Sequence, residues 1–343
     1  MPVYRHQGRR EVYYELYGRE GDPVVTICNG LAMKTSHWAP YFEQLPRLGI
    51  RVLSYDMLGQ GASAKPVLGV GFDDHAYQLH DLHEHLGIER PYVLGISFGG
   101  VVVLKYACLF PERIGGLLPI STFSELDPQL RGHARNLYIG MARVGFDYFL
   151  DLLMPLNFSN AWLERNAHML ELTKRLGVVG NELYAIQNLM ESMRDFQSMT
   201  HELVAIRCPT LVLNGEYDTL TPRHHHDILR RAIPNSRLMI VPRMCHAFTL
   251  EAPALVARII ADFVQAVEQG SWRGDQSVWI AAEDPAAKDI ATPYPEPFDP
   301  LRNLPLDREG KLVTGVTEAK SSGEKPRRTQ ARKRTGAKKS DKT

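Results

Sequence analysis

Short β-rich apolar runs alternate with helical stretches over the first 120 residues. Val3–His6 and residues 11–17 read as a hairpin turning at Gly8. Residues 24–28, 52–55, 92–95 and 116–120 have the length and composition of buried strands. Between them, residues 38–48, 73–86 and 98–110 carry helical patterning. Such alternation predicts a mostly parallel sheet covered by helices on both faces. The pattern then changes. From about 123 to 205 only helical periodicity is found, with candidate helices near 136–153, 161–176 and 182–199. Strand signals return at 210–214 and 238–241, separated by a helix after Thr221-Pro222, and a final amphipathic helix covers 254–268. The expected architecture is an α/β core built from residues 1–122 and 206–270. An all-helical cap, 123–205, is inserted after the sixth strand, over the C-terminal edge of the sheet. Beyond Gly270, five prolines between 293 and 305 punctuate a segment of little periodicity. Residues 271–317 are therefore expected to be a Pro-rich extension, partly ordered as a wrapping segment, and 318–343 a disordered tail.

Charge sharpens this division. The net charge is +1, yet from Glu318 onward ten Lys and Arg stand against three acids, a tail of +7 on a body of −6. Such a tail could make a weak contact with a polyanion or an anionic surface, although a plain solubilising end is the simpler reading. No run reaches the ~18 apolar residues of a membrane span, and the polar, basic first ten residues lack a secretory h-region. Cys28, Cys108, Cys208 and Cys245 have no CxxC spacing and lie in or beside apolar segments. Reduced thiols in a cytoplasmic enzyme are the expectation.

The chemistry-bearing residues fall at the ends of predicted strands. Gly95-Ile96-Ser97-Phe98-Gly99-Gly100 follows a strand and opens a helix, the context of a nucleophile elbow. Glycines two residues either side of Ser97 leave room for neighbouring backbone, and the turn lifts the hydroxyl above the sheet. GxGxxG and Walker patterns, the phosphate-binding alternatives, are absent. Asp218 follows the strand at 210–214, and His246 lies in the loop after 238–241. A serine is a poor nucleophile until a base takes its proton. His246 is the candidate base, with Asp218 orienting it and stabilising the imidazolium. Glu216 is the competing acid and reads as a solvated loop charge. Cys28-Asn29-Gly30-Leu31 follows the third strand. The N–H groups of Leu31 and Phe98 are expected to form an oxyanion hole, with Asn29 and Gly30 against the substrate.

At this point a resemblance is specific. Asn29-Gly30, the run Ser54-Tyr55-Asp56-Met57-Leu58-Gly59-Gln60-Gly61-Ala62-Ser63, the elbow, Gly215 to Asp218, and His246 are spaced as in α/β-hydrolases. The match covers roughly residues 10–122 and 206–268. Most members have His where this chain has Asn29. The Asn-Gly form resembles a subset that includes 3-oxoadipate enol-lactonase-like enzymes. It is also similar to acyltransferases that handle 3-hydroxyacyl chains for rhamnolipids and polyhydroxyalkanoates. The resemblance gives Asp56 a structural role in the turn before Gly59. It implies hydrolysis of a small ester, thioester or lactone through an acyl-enzyme on Ser97, with no metal and no organic cofactor. Transfer of the acyl group to an acceptor other than water is the alternative. A non-catalytic binding module is a third reading, which the intact Ser97, Asp218 and His246 set argues against.

Other polar clusters read more plainly. His224-His225-His226 suggests a metal by composition, but consecutive helical residues diverge, so a solvated helix start is expected. His75, His80, His83 and His85 on one predicted helix read as a mixed surface face. Cys245 beside His246 could imply thiol chemistry, which a serine at an elbow makes superfluous. Met141, Met154, Met169, Met190, Met193 and Met199 in the cap could line an apolar pocket, but at helical spacing simple core is the commoner role.

Overall fold

The computed structural model describes residues 2–179 and 181–294; the basic tail expected at 318–343 lies outside the described residues. The hairpin is present as β1 (Val3–His6) and β2 (Arg10–Tyr17). There follow β3 (Val24–Cys28), α1 (Ala39–Arg47), β4 (Arg51–Tyr55), α2 (Phe72–Leu86), β5 (Tyr92–Ile96), α3 (Phe98–Leu109) and β6 (Gly116–Ile120). Five helices come next: α4 (Pro128–Arg143), α5 (Phe146–Asn157), α6 (Asn160–Arg165), α7 (Ala167–Val179) and α8 (Leu183–Glu191). The core pattern then resumes with β7 (Thr210–Gly215), α9 (Arg223–Ala232), β8 (Ser236–Val241), α10 (Phe248–Glu251) and α11 (Pro253–Glu268). Two strands, β9 (Val278–Ala281) and β10 (Ala291–Pro293), end the described chain.

The ten strands form one sheet in the order β1-β2-β4-β3-β5-β6-β7-β8-β9-β10. From β4 to β9 every pairing is parallel, and the antiparallel pairings lie at the two margins. Parallel strands are buried on both faces, and here alternate residues of one strand enter different cores. Leu238 and Ile240 belong to the apolar core on one face, which also holds Leu79 of α2 and Val102 of α3. Met239 and Val241 belong to the core on the other face, which also holds Leu45 of α1 and Ile260 of α11. Burying each such side chain contributes about 1.5–3 kcal/mol.

The cap helices differ from the sequence pattern in their breaks. One helix expected at 136–153 is two, because Gly145 adopts φ 131° between them, a conformation that costs little only for glycine. Asp127 caps α4 by accepting from the Leu130 N–H at 2.7 Å, with Pro128 as the first helical residue, where its missing N–H is harmless. The helix expected at 182–199 stops at Glu191. Beyond it the chain runs beside the cap's entry, with Leu126 N–H donating to Gln197 and Met199 N–H to Ser124. The extension after Gly270 is more regular than its composition suggests, since β9 adds to the exposed edge of β8.

The four histidines of α2 also differ from expectation. His75 and His83 are buried rather than on a surface face. They project inward on the core side of the helix, and His83 is held between Thr26 Oγ1 (2.9 Å) and the Tyr106 hydroxyl (3.1 Å). Burial pushes His75 down to about 4 and His83 down to about 3, and His226 of α9 likewise to about 3. An unfolded histidine titrates near 6.5. Below that pH the unfolded chain takes up protons that the folded chain refuses, so stability falls as pH falls. Each group contributes a slope of up to about 1.4 kcal/mol per pH unit. Urea unfolding between pH 7 and 5 is expected to show a steadily falling midpoint, with a shallower fall in His83→Gln. A flat midpoint over that range would contradict neutral burial of these rings.

Candidate active site

The order β4-β3-β5 reverses direction at β3, because the chain leaves β3 toward one edge and continues from β5 toward the other. Ligand crevices in open α/β sheets lie at such a switch point, beyond the carboxyl ends of the strands. Cys28 pairs with Gly95 and Ile96 with Ile120 in register. The loop at Asn29–Leu31 and the elbow at Ser97 therefore leave the sheet side by side.

Ser97 has φ 53° and ψ −116°, a sparsely populated conformation for a non-glycine residue that costs about 1–3 kcal/mol. Its backbone is fully engaged. The N–H donates to Ile120 O at 2.9 Å, and the carbonyl accepts from Gly100 N–H (2.9 Å) and Thr122 Oγ1 (2.7 Å). A Cβ on Gly95 would lie 2.2 Å from Gly99 O, and one on Gly99 2.3 Å from Asn29 O. Both glycines are thus required by close approach. Phe98 opens α3, where an N–H has no partner inside the helix.

Gly215 ends β7 so close to the next loop that a Cβ would stand 2.5 Å from the carbonyls of Met244 and Cys245. This contact brings the Asp218 and His246 loops together. His246 Nδ1 lies 2.9 Å from Asp218 Oδ2, with both side chains buried. Asp218 Oδ1 accepts from the Leu220 and Thr221 N–H groups, and Oδ2 from the Thr221 hydroxyl at 2.8 Å. Burial alone would raise the Asp218 pKa. The His246 charge and hydrogen bond, with the Thr221 N–H, outweigh it and hold the carboxyl below its ordinary value. With Nδ1 donating to this carboxylate, Nε2 is the basic nitrogen of the His246 ring.

Ser97, His246, Gly30, Leu31 and Phe98 share the wall of one cavity of about 110 Å³. That is several times the about 10–15 Å³ that one water needs. The remaining wall is mostly apolar and comes largely from the cap, with Leu130, Ala134, Leu137, Leu153, Met190 and Met193, while Asn157 and Thr221 add polar groups to it. Only Met190 and Met193 of the six cap-region methionines line it. Met141 and Met199 are core, and Met169 is exposed.

Asn29 is a correction. It is wholly buried and does not line the cavity. Its Oδ1 accepts from Trp38 Nε1 at 2.7 Å and its Nδ2 donates to Tyr55 O at 3.0 Å, so both ends of the amide are spent on the fold. Asp56 likewise ties loops together, accepting from Thr35 and Ala62 N–H groups. Glu216 is exposed and accepts from Arg243 N–H at 2.8 Å, away from His246. Burial pushes the Cys245 thiol up to about 11, which disfavours the reactive thiolate.

The histidine run is a second correction. His225 and His226 are buried, not solvated. His226 Nε2 accepts from Thr122 N–H at 3.0 Å, which ties α9 to the strand end beside the elbow. Two residues with a place at the site were not singled out from sequence. Thr221 bridges Asp218 and His246, and its signal was the Asp-x-x-Thr spacing of a side-chain-capped turn. Gln60 Nε2 donates to Gly30 O at 2.8 Å. In a planar trans peptide this turns the Leu31 N–H the opposite way, and the Gln60 position carried no signal of its own.

A family model described as the alpha/beta hydrolase fold matches residues 23–253. The chain belongs to the α/β-hydrolase fold family. Among curated relatives it is similar to a putative carbamate hydrolase RutD of Azorhizobium caulinodans, 24% identical over 275 residues that cover 78% of this chain and 100% of that one. Among solved structures it resembles the enol-lactonase of Burkholderia xenovorans LB400, with TM-score 0.68 and 23% identity, covering 77% of this chain and 100% of that one. It also resembles a thermophilic esterase of Thermogutta terrifontis, with TM-score 0.69 and 24% identity, covering 77% and 97%. At these identities the solved structures establish the fold. Among the described residues no helix is long and apolar enough to cross a membrane.

The two acids near His246 can be separated by substitution. Asp218→Asn is expected to lower turnover of an activated ester by about 10⁴-fold, because an amide favours the wrong imidazole tautomer. Glu216→Gln should leave turnover nearly unchanged. A damaging Glu216→Gln beside a near-neutral Asp218→Asn would reassign the acid.

Proposed function

We propose that this chain is a serine hydrolase that cleaves a carboxylic ester, thioester or lactone through an acyl-enzyme on Ser97. The observation that carries the reading is the convergence on one cavity of a strained elbow serine and a histidine held by a buried, ionised aspartate. Ser97 Oγ attacks the substrate carbonyl as its proton passes to His246 Nε2, and Asp218 stabilises the imidazolium. The negative oxygen of the tetrahedral intermediate accepts hydrogen bonds from the Leu31 and Phe98 N–H groups. Gln60 supports the first of these by holding the Gly30 carbonyl. Collapse breaks the bond to the leaving alcohol or thiol, which takes the proton from His246. Water then enters by the same steps, releasing the acid and restoring the Ser97 hydroxyl.

The carbamate hydrolase, lactonase and esterase named among the similar proteins support acyl chemistry of this kind. The largely apolar cap wall favours an apolar acyl group, with Asn157 as the polar side chain that the cap contributes. The same acyl-enzyme would serve an acyltransferase, which differs only in the nucleophile that enters second.

Ser97→Ala tests the proposal. The substitution removes one hydroxyl from a residue whose backbone makes the structural hydrogen bonds, so the variant should fold with an unchanged unfolding midpoint. Its kcat on a short-chain p-nitrophenyl ester or lactone should fall by about 10⁴-fold or more. Retention of more than a few per cent of wild-type turnover would mean that another group is the nucleophile.

A further inference from the structure

The histidine run that begins α9 has a partner across the hinge of the cap. Asp127 caps α4, which supplies Leu130, Ala134 and Leu137 to the cavity wall. His224 Nε2 stands 2.7 Å and His225 Nε2 3.3 Å from the same oxygen, Asp127 Oδ2. One ligand atom from each of the three residues falls within 4.8 Å of the others. Two imidazoles and one carboxylate around a common point are a donor set for a divalent first-row transition metal.

Three further features fit a ligand rather than a plain hydrogen-bonded cluster. His225 is 1% exposed; its Nε2 faces Asp127 Oδ2 at 3.3 Å, and its Nδ1 has no hydrogen-bond partner. A buried ring nitrogen left unsatisfied in this way is uncommon. Asp127 Oδ1 is already fixed by the Leu130 N–H, an outer contact of the kind that orients metal-binding carboxylates. His224 and Asp127 keep 24% and 22% of their side-chain surface exposed, which leaves an entry path and a side open to water. A tetrahedral ion with bonds of about 2.0–2.1 Å separates its ligand atoms by about 3.3 Å. His225 already stands at that separation from Asp127, and His224 would retreat by roughly half an ångström.

We propose that Asp127, His224 and His225 bind a divalent transition metal such as Zn²⁺, with water completing the coordination. The site has no place in the acyl chemistry. It joins the first cap helix to the helix that follows the Asp218 loop, so a bound ion would pin the cap against the core beside the cavity. This inference stands apart from the hydrolase reading, because its readout is metal uptake.

The test uses the full chain without a histidine tag, stripped with a chelator. It is titrated with Co²⁺, whose visible absorption reports direct ligation, and with Zn²⁺ by calorimetry. One equivalent of each metal should bind, with Zn²⁺ displacing Co²⁺ and raising the unfolding temperature. Asp127→Asn keeps a helix cap, since Asn caps as well as Asp, and should weaken Zn²⁺ binding by about tenfold or more. His224→Gln, at a partly exposed position, should do the same, whereas His168→Gln on α7 should not. No saturable uptake by the wild type, or equal affinity in Asp127→Asn and His224→Gln, would overturn the proposal.

Discussion

Helix α3 begins in direct contact with the ends of two strands, and most of the site inherits its geometry from that contact. The backbone of Gly99 lies against the carbonyls of Cys28 and Asn29, and Gly100 against the side chain of Thr122, at distances that leave no room for a Cβ. Any larger residue would push α3 off the sheet. With the helix seated, Ser97 has nowhere to go but its strained turn, held by hydrogen bonds to Ile120, Gly100 and Thr122. The surroundings over-determine the conformation, which is how such strain persists in a folded protein. The same contact fixes the Asn29–Leu31 loop relative to the serine.

Asp218 and His246, the proposed acid and base, are positioned by a second, independent device. Adjacent parallel strands β7 and β8 end in register, Gly215 opposite Val241, and their loops touch at Gly215. The Asp218 carboxylate is then saturated by Leu220, Thr221 and His246. A buried carboxylate without such partners would be neutral and could not orient an imidazole. The proposed reactive groups thus stand on loops at rigid strand ends, while the largely apolar wall comes mainly from helices α4, α5 and α8. Substrate preference can change through the cap without disturbing the groups that would do the chemistry.

The legibility of these features in the sequence follows their locality. Elbow, acid and histidine each sit at fixed offsets from a strand whose apolar run is continuous, so Ser97, Asp218 and His246 could be named as candidates; Ser97 and His246 line one cavity, and Asp218 stands against His246. Asn29 could not be read correctly, because its amide is consumed by Trp38 and Tyr55, contacts that depend on the folded chain. His75, His83 and His225 read as solvent-facing for the same reason: a polar residue signals exposure unless its buried partners are known. The cap helices were misjudged at their ends, where Gly145 breaks one helix and the Asp127-Pro128 start signal was passed over. Strands β9 and β10 are four and three residues long. They owe their form to pairing with β8 and with each other rather than to their own propensity.

The central claim is that one serine, activated through the Asp218–His246 pair, carries the acyl group. Covalent trapping addresses it most directly. The full chain is incubated with a fluorophosphonate, and its peptides are mapped by mass spectrometry. A single adduct is expected, on the peptide containing Ser97 and localised to that residue, with little or no adduct in His246→Ala under the same conditions. An adduct on another residue, or an unmodified Ser97 in a chain that still turns over esters, would contradict it.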